Sequence, residues 1–255
     1  MKVIASYNIK GGVGKTATAV NIAYLAAAEG YRVLLWDLDP QAAASFLFRV
    51  KPRVKGGGKA LIAGKRPVDL AIKATDFDHL DLLPADFTYR NLDLHLDGER
   101  KPVTRLRSLL SPLRREYDLV VLDCPPSISL LSENVLYAAD LLLVPLIPTT
   151  LSVRTLDQLT DFVAGLDGHR PRILAFFSMI DRRKRLHLQI AEELPAGRSD
   201  VAATAIPALS TIERMSVQRA PVTASAPRGA AARCYRELWA EVRERAGLTR
   251  VRPGS

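Results

Sequence analysis

The chain has 255 residues, 48% of them hydrophobic and 6% aromatic, with a formal net charge of +9. That apolar share suffices for one substantial core in a single α/β domain, and the two cysteines, Cys124 and Cys234, lie too far apart to make a disulfide framework or a metal site. The excess positive charge favours a polyanionic partner, nucleic acid or an acidic membrane surface, without choosing between them.

Lys2 to Asn8 reads as a short buried strand that Gly11 to Gly14 breaks. Lys15 to Gly30 carries apolar and small residues at helical spacing, with Gly30 placed to end the helix. Arg32 to Asp37 is a second buried strand, so the first 37 residues make a βαβ unit with a right-handed crossover. Arg49 to Lys59 holds Arg49, Lys51, Arg53, Lys55 and Lys59, three consecutive glycines and no acid; an exposed basic loop or ribbon is expected. Leu80 to Pro84 reads as a strand, Val103 to Leu113 as a helix, and Tyr117 to Asp123 as an apolar strand ending in an acid. Ala139 to Ile147 is another strand. Ser152 is placed to cap a helix running to about Gly165, and Ile173 to Ile180 is a further strand. Ala231 to Ala246 is the last helix, with Ala231, Tyr235, Leu238, Trp239 and Val242 on its apolar face and Gly247 at its end. Strands alternating with helices predict a mainly parallel twisted sheet with helices on both faces, spanning 1–248, followed by a flexible polar tail at 249–255. The amino-terminal strand is not a signal peptide, and no run of ~18 apolar residues is present, so a soluble cytoplasmic protein is expected.

The segment Lys10-Gly11-Gly12-Val13-Gly14-Lys15-Thr16-Ala17 carries the chemistry. The phosphate-loop pattern G-x-x-x-x-G-K-[ST] would need glycine at position 9, where Ile9 stands, so this is a deviant form. Its physics is retained. The glycines let successive N–H groups turn toward phosphate oxygens, and the following helix adds the positive end of its dipole. Lys15 would neutralise phosphate charge and Thr16 would offer its hydroxyl to Mg²⁺. Lys10 cannot easily fold back onto phosphates held by its own loop. Asp37 and Asp39 in Asp37-Leu38-Asp39-Pro40-Gln41 fall on one side of an extended segment, where carboxylates can orient water or organise Mg²⁺. Asp123 ends its strand in the Walker B manner, and Cys124-Pro125-Pro126-Ser127 then makes a stiff turn near the terminal phosphate.

By these motifs the chain resembles the ParA/MinD class of deviant Walker P-loop ATPases. The matching stretches are Lys10 to Thr16, Asp37 to Gln41, Leu122 to Ser127 and Val144 to Thr150, with weaker likeness at Ile206-Pro207 and Tyr235 to Leu238. The Asp-Leu-Asp-Pro-Gln stretch favours the ParA branch. The resemblance implies a P-loop NTPase fold, ATP and Mg²⁺ as cofactors, and ATP hydrolysis. It implies that Lys10 reaches the phosphates of a partner subunit in an ATP-bound homodimer and that Asp39 supports hydrolysis. Thr16, Asp39 and Asp123 would then organise Mg²⁺, and Asp37 its water. Near the base the family often has Asn where this chain has Ser178, with Pro207 close by. The resemblance further implies nonspecific binding of nucleoid DNA, a ParB-like or cargo-adaptor protein that stimulates hydrolysis, and a cytoplasmic, nucleoid-associated protein that positions plasmids, chromosomes or protein assemblies.

The segment 182–255 carries 14 Lys/Arg against 7 Asp/Glu, a net +7. Arg182, Arg183, Lys184, Arg185, Arg214, Arg219 and Arg233 are therefore the candidates for sequence-tolerant phosphate contacts. Two other readings remain open: a MinD-like membrane-surface ATPase, and a metabolic P-loop enzyme such as an amide synthase.

Overall fold

A computed structural model describes residues 1–65 and 67–249. Eight strands form one sheet: β1 (Lys2–Ser6), β2 (Val33–Asp37), β3 (Lys73–Ala74), β4 (Leu80–Leu83), β5 (Leu119–Asp123), β6 (Leu141–Leu146), β7 (Arg172–Ile180) and β8 (Ile206–Pro207). Their order is β3-β4-β2-β5-β1-β6-β7-β8, and every pairing is parallel except the edge pair β3–β4. The parallel strands start in register, Lys2 beside Leu119 and Val33 beside Leu80 and Leu119, so their carboxyl ends finish together. That common edge is where an open α/β sheet binds ligands.

The helices are α1 (Lys15–Ala28), α2 (Ala43–Leu47), α3 (Gly57–Ile62), α4 (Leu92–Asp97), α5 (Arg105–Leu110), α6 (Leu130–Ala138), α7 (Thr150–Ala164), α8 (Arg185–Gly197), α9 (Ser210–Glu213), α10 (Met215–Gln218), α11 (Val222–Ser225) and α12 (Ala230–Ala246). The twofold period of the strands divides the core between the two faces of the sheet. Ile4, Val33, Leu35, Leu119 and Val121 pack with α1 and α12. Val3, Leu34, Trp36, Val120 and Leu122 pack with α3 to α7. On α12 the residues Ala231, Tyr235, Leu238, Trp239 and Val242 are all buried, as the helical periodicity predicts. Each large side chain buried there contributes ~1.5–3 kcal/mol of transfer free energy.

Three expectations change. The glycine-rich basic segment is not wholly a loop: Val54, Leu61 and Ile62 are buried, and Gly57 opens the helix α3. The helix expected over Val103 to Leu113 is broken into a 3-10 turn at Pro102–Thr104, α5, and a second 3-10 turn at Ser111–Arg115 with Pro112 inside it. Pro112 cannot donate its ladder hydrogen bond, so a continuous helix is not sustained. The cap of α7 is Thr149, whose side chain accepts from the Ser152 N–H; Ser152 lies within the first turn. Residues 250–255 of the expected tail lie outside the described residues. No helix among the described residues is long and apolar enough to cross a membrane.

Candidate nucleotide site

The loop between β1 and α1 is held from beneath. The Ser6 hydroxyl donates to the Lys15 carbonyl (2.9 Å), and the Asn8 amide donates to the Pro145 carbonyl (2.8 Å). The Lys10 N–H donates back to the Asn8 side chain (2.9 Å). Gly14 then turns the chain into α1 with φ +95° and no side-chain cap. The leading amides of α1 are therefore left for a ligand, at the positive end of the helix dipole. A Cβ on Gly14 would lie 2.9 Å from the Ser178 hydroxyl, so glycine is required there both by conformation and by space.

Lys15 is buried, and its ammonium donates to the Lys10 carbonyl (2.8 Å). Burial lowers its pKa, while Asp123, Cys124 and Asp39 pull it back up. The main chain of Lys10 is thus fixed at both N–H and carbonyl, while its side chain makes no hydrogen bond or ion pair among the described residues.

The carboxylates sort themselves by environment. Asp123, at the end of β5, has no exposed surface, and neither carboxylate oxygen finds a hydrogen-bond partner among the described residues. Burial raises its pKa well above the carboxylate range and the neighbouring Asp37 adds to this; the Thr16 hydroxyl, close by but without the geometry of a full hydrogen bond, and Lys15 pull it down. A buried, partnerless carboxylate beside Thr16 is the donor set a divalent cation would complete, since Mg²⁺ takes few protein oxygens and keeps several waters. The residues present therefore fit Mg²⁺ bound with a nucleotide. Asp37 is equally buried but occupied: it accepts from the Ser45 N–H and hydroxyl (both 2.7 Å) and the Asp39 N–H (3.3 Å). Burial lifts its pKa to about 6 against the lowering effect of those bonds. Asp39 is half-buried, accepts from the Gln41 N–H (2.9 Å) and faces the cavity.

A cavity of about 400 Å³ opens over the loop, lined by Gly11, Gly12, Gly14, Lys15, Thr16, Ala17 and Asp39 on one side. Pro126, Ser178, Pro207, Ile212, Glu213 and Tyr235 are among the residues that complete it. Of the residues expected from sequence, Lys10, Val13, Asp37 and Asp123 do not line it. Val13, Asp37 and Asp123 are buried beneath. Ser178 packs against Gly14, and Met179 beside it takes φ +57° where the β7–β8 register shifts. That irregularity re-aims the end of β7 at the cavity mouth. Ile206, Ala208, Leu209, Ile212, Glu213 and Tyr235 were not foreseen as lining residues. Tyr235 carries only a helical core signal, and 208–213 has no periodic pattern. Asn8 and Ser45, which hold the loop and Asp37, were also missed; neither belongs to a motif.

The Cys124-Pro125-Pro126-Ser127 turn is braced at Ser127, whose carbonyl accepts from the Tyr7 hydroxyl (3.0 Å) and the Ser132 hydroxyl (2.7 Å). Burial pushes the Cys124 thiol well above its usual pKa, so it is not a nucleophile at neutral pH.

Arg183 is tied to Asp181 (2.9 Å), which it holds at a pKa of about 2. Arg182 and Arg233 both lie near Cys234. Lys184 and Arg185 lead into α8 and are exposed. Arg214 and Arg219 flank α10, and Arg219 is stacked 4.5 Å over the Phe46 ring.

Comparison with known proteins agrees with this geometry. The family model described as an AAA domain matches residues 1–174. The sporulation initiation inhibitor protein Soj of Bacillus subtilis is 33% identical over 247 residues, covering 94% of this chain and 98% of that protein. The chromosome partitioning protein ParA of Caulobacter vibrioides (strain NA1000 / CB15N) is 35% identical over 208 residues, covering 78% of each. Among solved structures, cobyrinic acid a,c-diamide synthase from Mycobacterium smegmatis, with bound ATP analog and magnesium, superposes with a TM-score of 0.79 at 26% identity and covers 100% of both chains. The chain belongs to the ParA-like P-loop ATPases, an ATP-hydrolysing family with members in partitioning and positioning.

Proposed function

We propose that this chain is a positioning ATPase switched by ATP. It binds ATP with Mg²⁺ in the cavity over Gly11 to Thr16, dimerises through Lys10, holds DNA without sequence preference, and is released when a partner protein stimulates hydrolysis. The observation that carries the nucleotide part is the buried carboxylate of Asp123, partnerless beside Thr16 under an uncapped helix terminus.

Bound Mg²⁺ would draw negative charge from the phosphate oxygens. Thr16 would offer its hydroxyl to the ion, and Asp123 would hold the ion's water shell from below. The amides of Gly12 to Thr16 would cradle the phosphates, and Lys15, once drawn from the Lys10 carbonyl, would neutralise them. Asp39, fixed by the Gln41 N–H at the cavity wall, would orient water. Lys10 supports a shared site: with its backbone held at both ends, its side chain is left to reach outward. The domain reading, one ATPase unit over 1–248, is part of this proposal.

Binding to random-sequence duplex DNA, measured by fluorescence anisotropy with and without ATP, tests the function. An affinity that rises with ATP and falls steeply with salt is expected. Binding to anionic vesicles but not to DNA would favour a membrane-surface ATPase instead. The likeness to the diamide synthase favours a second reading, a metabolic amide synthase; ATP turnover that required an added carboxylic acid and amide donor would select it.

A further inference from the structure

The basic segment from Arg49 to Lys59 has no part in the phosphate cradle, yet it is held firmly. Val54 donates its N–H to Asp86 (2.8 Å), and Gly58 donates to the Thr88 hydroxyl (2.7 Å). Two cationic clamps bring its start against α10, which is distant in sequence. Arg49 pairs with Asp76 (2.8 Å) and donates to the Gln218 carbonyl (3.3 Å). Arg219, with φ +51°, lies over the Phe46 ring and donates to the Phe46 carbonyl (3.0 Å).

A groove of about 640 Å³ runs between these clamps, lined among others by Gln41, Phe46, Arg49, Lys51 and Arg219, with Glu213 as the acid in its wall. Thr16, Ala17, Ile212 and Glu213 line both this groove and the nucleotide cavity, so the two adjoin. Lys51 lines it and is exposed; Arg53, Lys55 and Lys59 are exposed farther along the same segment and Arg214 beside Glu213, and none of these five forms an ion pair among the described residues.

Exposed cations carried on a fixed backbone suit a phosphodiester chain, since they release its counterions without reading its bases; here Arg49 is paired with Asp76 and Arg53 lies near Asp86, while Lys51 and Lys55 form no ion pair among the described residues. A bilayer surface would also need an apolar face to insert. The exposed side chains from 49 to 59 are Arg49, Lys51, Pro52, Arg53, Lys55 and Lys59, with no large apolar group, and the one exposed large apolar side chain lining the groove, Phe46, has the Arg219 guanidinium stacked on its ring.

We propose that this groove and the basic segment running on from it seat the backbone of duplex DNA, with Lys51 in the groove and Arg53 and Lys55 beyond it as the phosphate contacts. This rests on the DNA-binding reading above, and it moves the contact away from the run Arg182 to Arg185.

The test uses the full chain with ATP and Mg²⁺. DNA affinity is measured by anisotropy over a range of salt for the wild type, for the triple variant Lys51→Ala, Arg53→Ala, Lys55→Ala, and for the control Arg182→Ala, Arg183→Ala, Lys184→Ala. The first variant should bind DNA ~10-fold or more weakly at ~0.15 M salt, with a salt slope shallower by ~2–3, since each phosphate contact contributes ~0.9. Its melting temperature and its ATP affinity without DNA should match the wild type. Wild-type affinity and slope in that variant, alongside a wild type that does bind DNA, would overturn this assignment and leave the DNA reading standing. A wild type that fails to bind DNA would end both. A triple variant that loses binding to phosphatidylglycerol vesicles but keeps its DNA affinity would also overturn the proposal, in favour of a membrane.

Discussion

Asp37 and Asp123 are register partners at the carboxyl ends of β2 and β5, side by side and without solvent exposure. One is satisfied by Ser45 and the Asp39 N–H; the other has no partner. Two adjacent buried carboxylates cannot both ionise at low cost: burial raises both, and Asp37 adds to the rise at Asp123 while Asp39 adds to that at Asp37. The nucleotide-free fold carries this strain, and a cation beside Thr16 would relieve it.

Asp123→Asn should therefore stabilise the nucleotide-free protein while weakening its use of Mg²⁺. Asn removes the cost of ionising this buried carboxyl, so the gain grows as pH rises toward its raised pKa; once the group is ionised it is worth on the order of 1–3 kcal/mol, which moves the melting temperature up by several degrees in a chain of this size. The thermal shift on adding ATP with Mg²⁺ should shrink toward that with ATP and EDTA. An unchanged magnesium-dependent shift would remove Asp123 from the ion's surroundings.

The pH dependence follows from Asp37. Its folded pKa, about 6, lies above its ordinary value of 3.8. The folded state therefore binds more protons between those values, and stability falls as pH rises through the folded pKa. The loss from this group is on the order of 3 kcal/mol at most. Asp37→Asn should flatten the fall in urea-unfolding free energy between about pH 4 and 7, because Asn can still accept from Ser45. A variant curve parallel to the wild type would contradict the assignment.

Gly14→Ala should destabilise the loop twice over, through φ +95° and through the 2.9 Å approach to Ser178. A left-handed alanine alone costs roughly 1–2 kcal/mol. Adding Ser178→Ala should recover the contact part and leave the conformational part, giving an intermediate melting temperature. Equal melting of the single and double variants would show that Ser178 does not crowd the loop.

Asp39→Ala should keep ATP affinity within a few-fold and lower turnover by about 10²-fold or more, the range for a lost base or water-orienting group. Filter binding beside phosphate release separates the two quantities. Affinity and turnover that fell together would point to a role in holding the ion rather than the water.

Six of the eight strands were legible because they are apolar runs bounded by glycine, proline or an acid; β3 and β8, two residues each at the sheet's edges, carry no such run. Leu119 to Asp123 and Leu141 to Leu146 need no context to be read as buried. The loop was legible because its glycines do local work. What escaped depends on distant partners. Gly57 and Gly58 argue against a helix, but Thr88 and the buried Leu61 and Ile62 hold α3 in place. The division between Asp37 and Asp123 was invisible because Ser45, which satisfies one and not the other, lies in no motif. Likewise, Phe46 meets Arg219 across 173 positions, so the joining of two basic segments appears only in the fold.

The central claim is that ATP at this cradle makes the chain a dimer through Lys10. Light scattering on the wild type and Lys10→Ala, each with Mg²⁺ and a non-hydrolysable ATP analogue, tests it most directly. The wild type should shift from monomer to dimer, while Lys10→Ala should bind the analogue and remain a monomer. A wild type that stays monomeric with the site saturated, or a Lys10→Ala variant that dimerises as well as the wild type, would contradict the account.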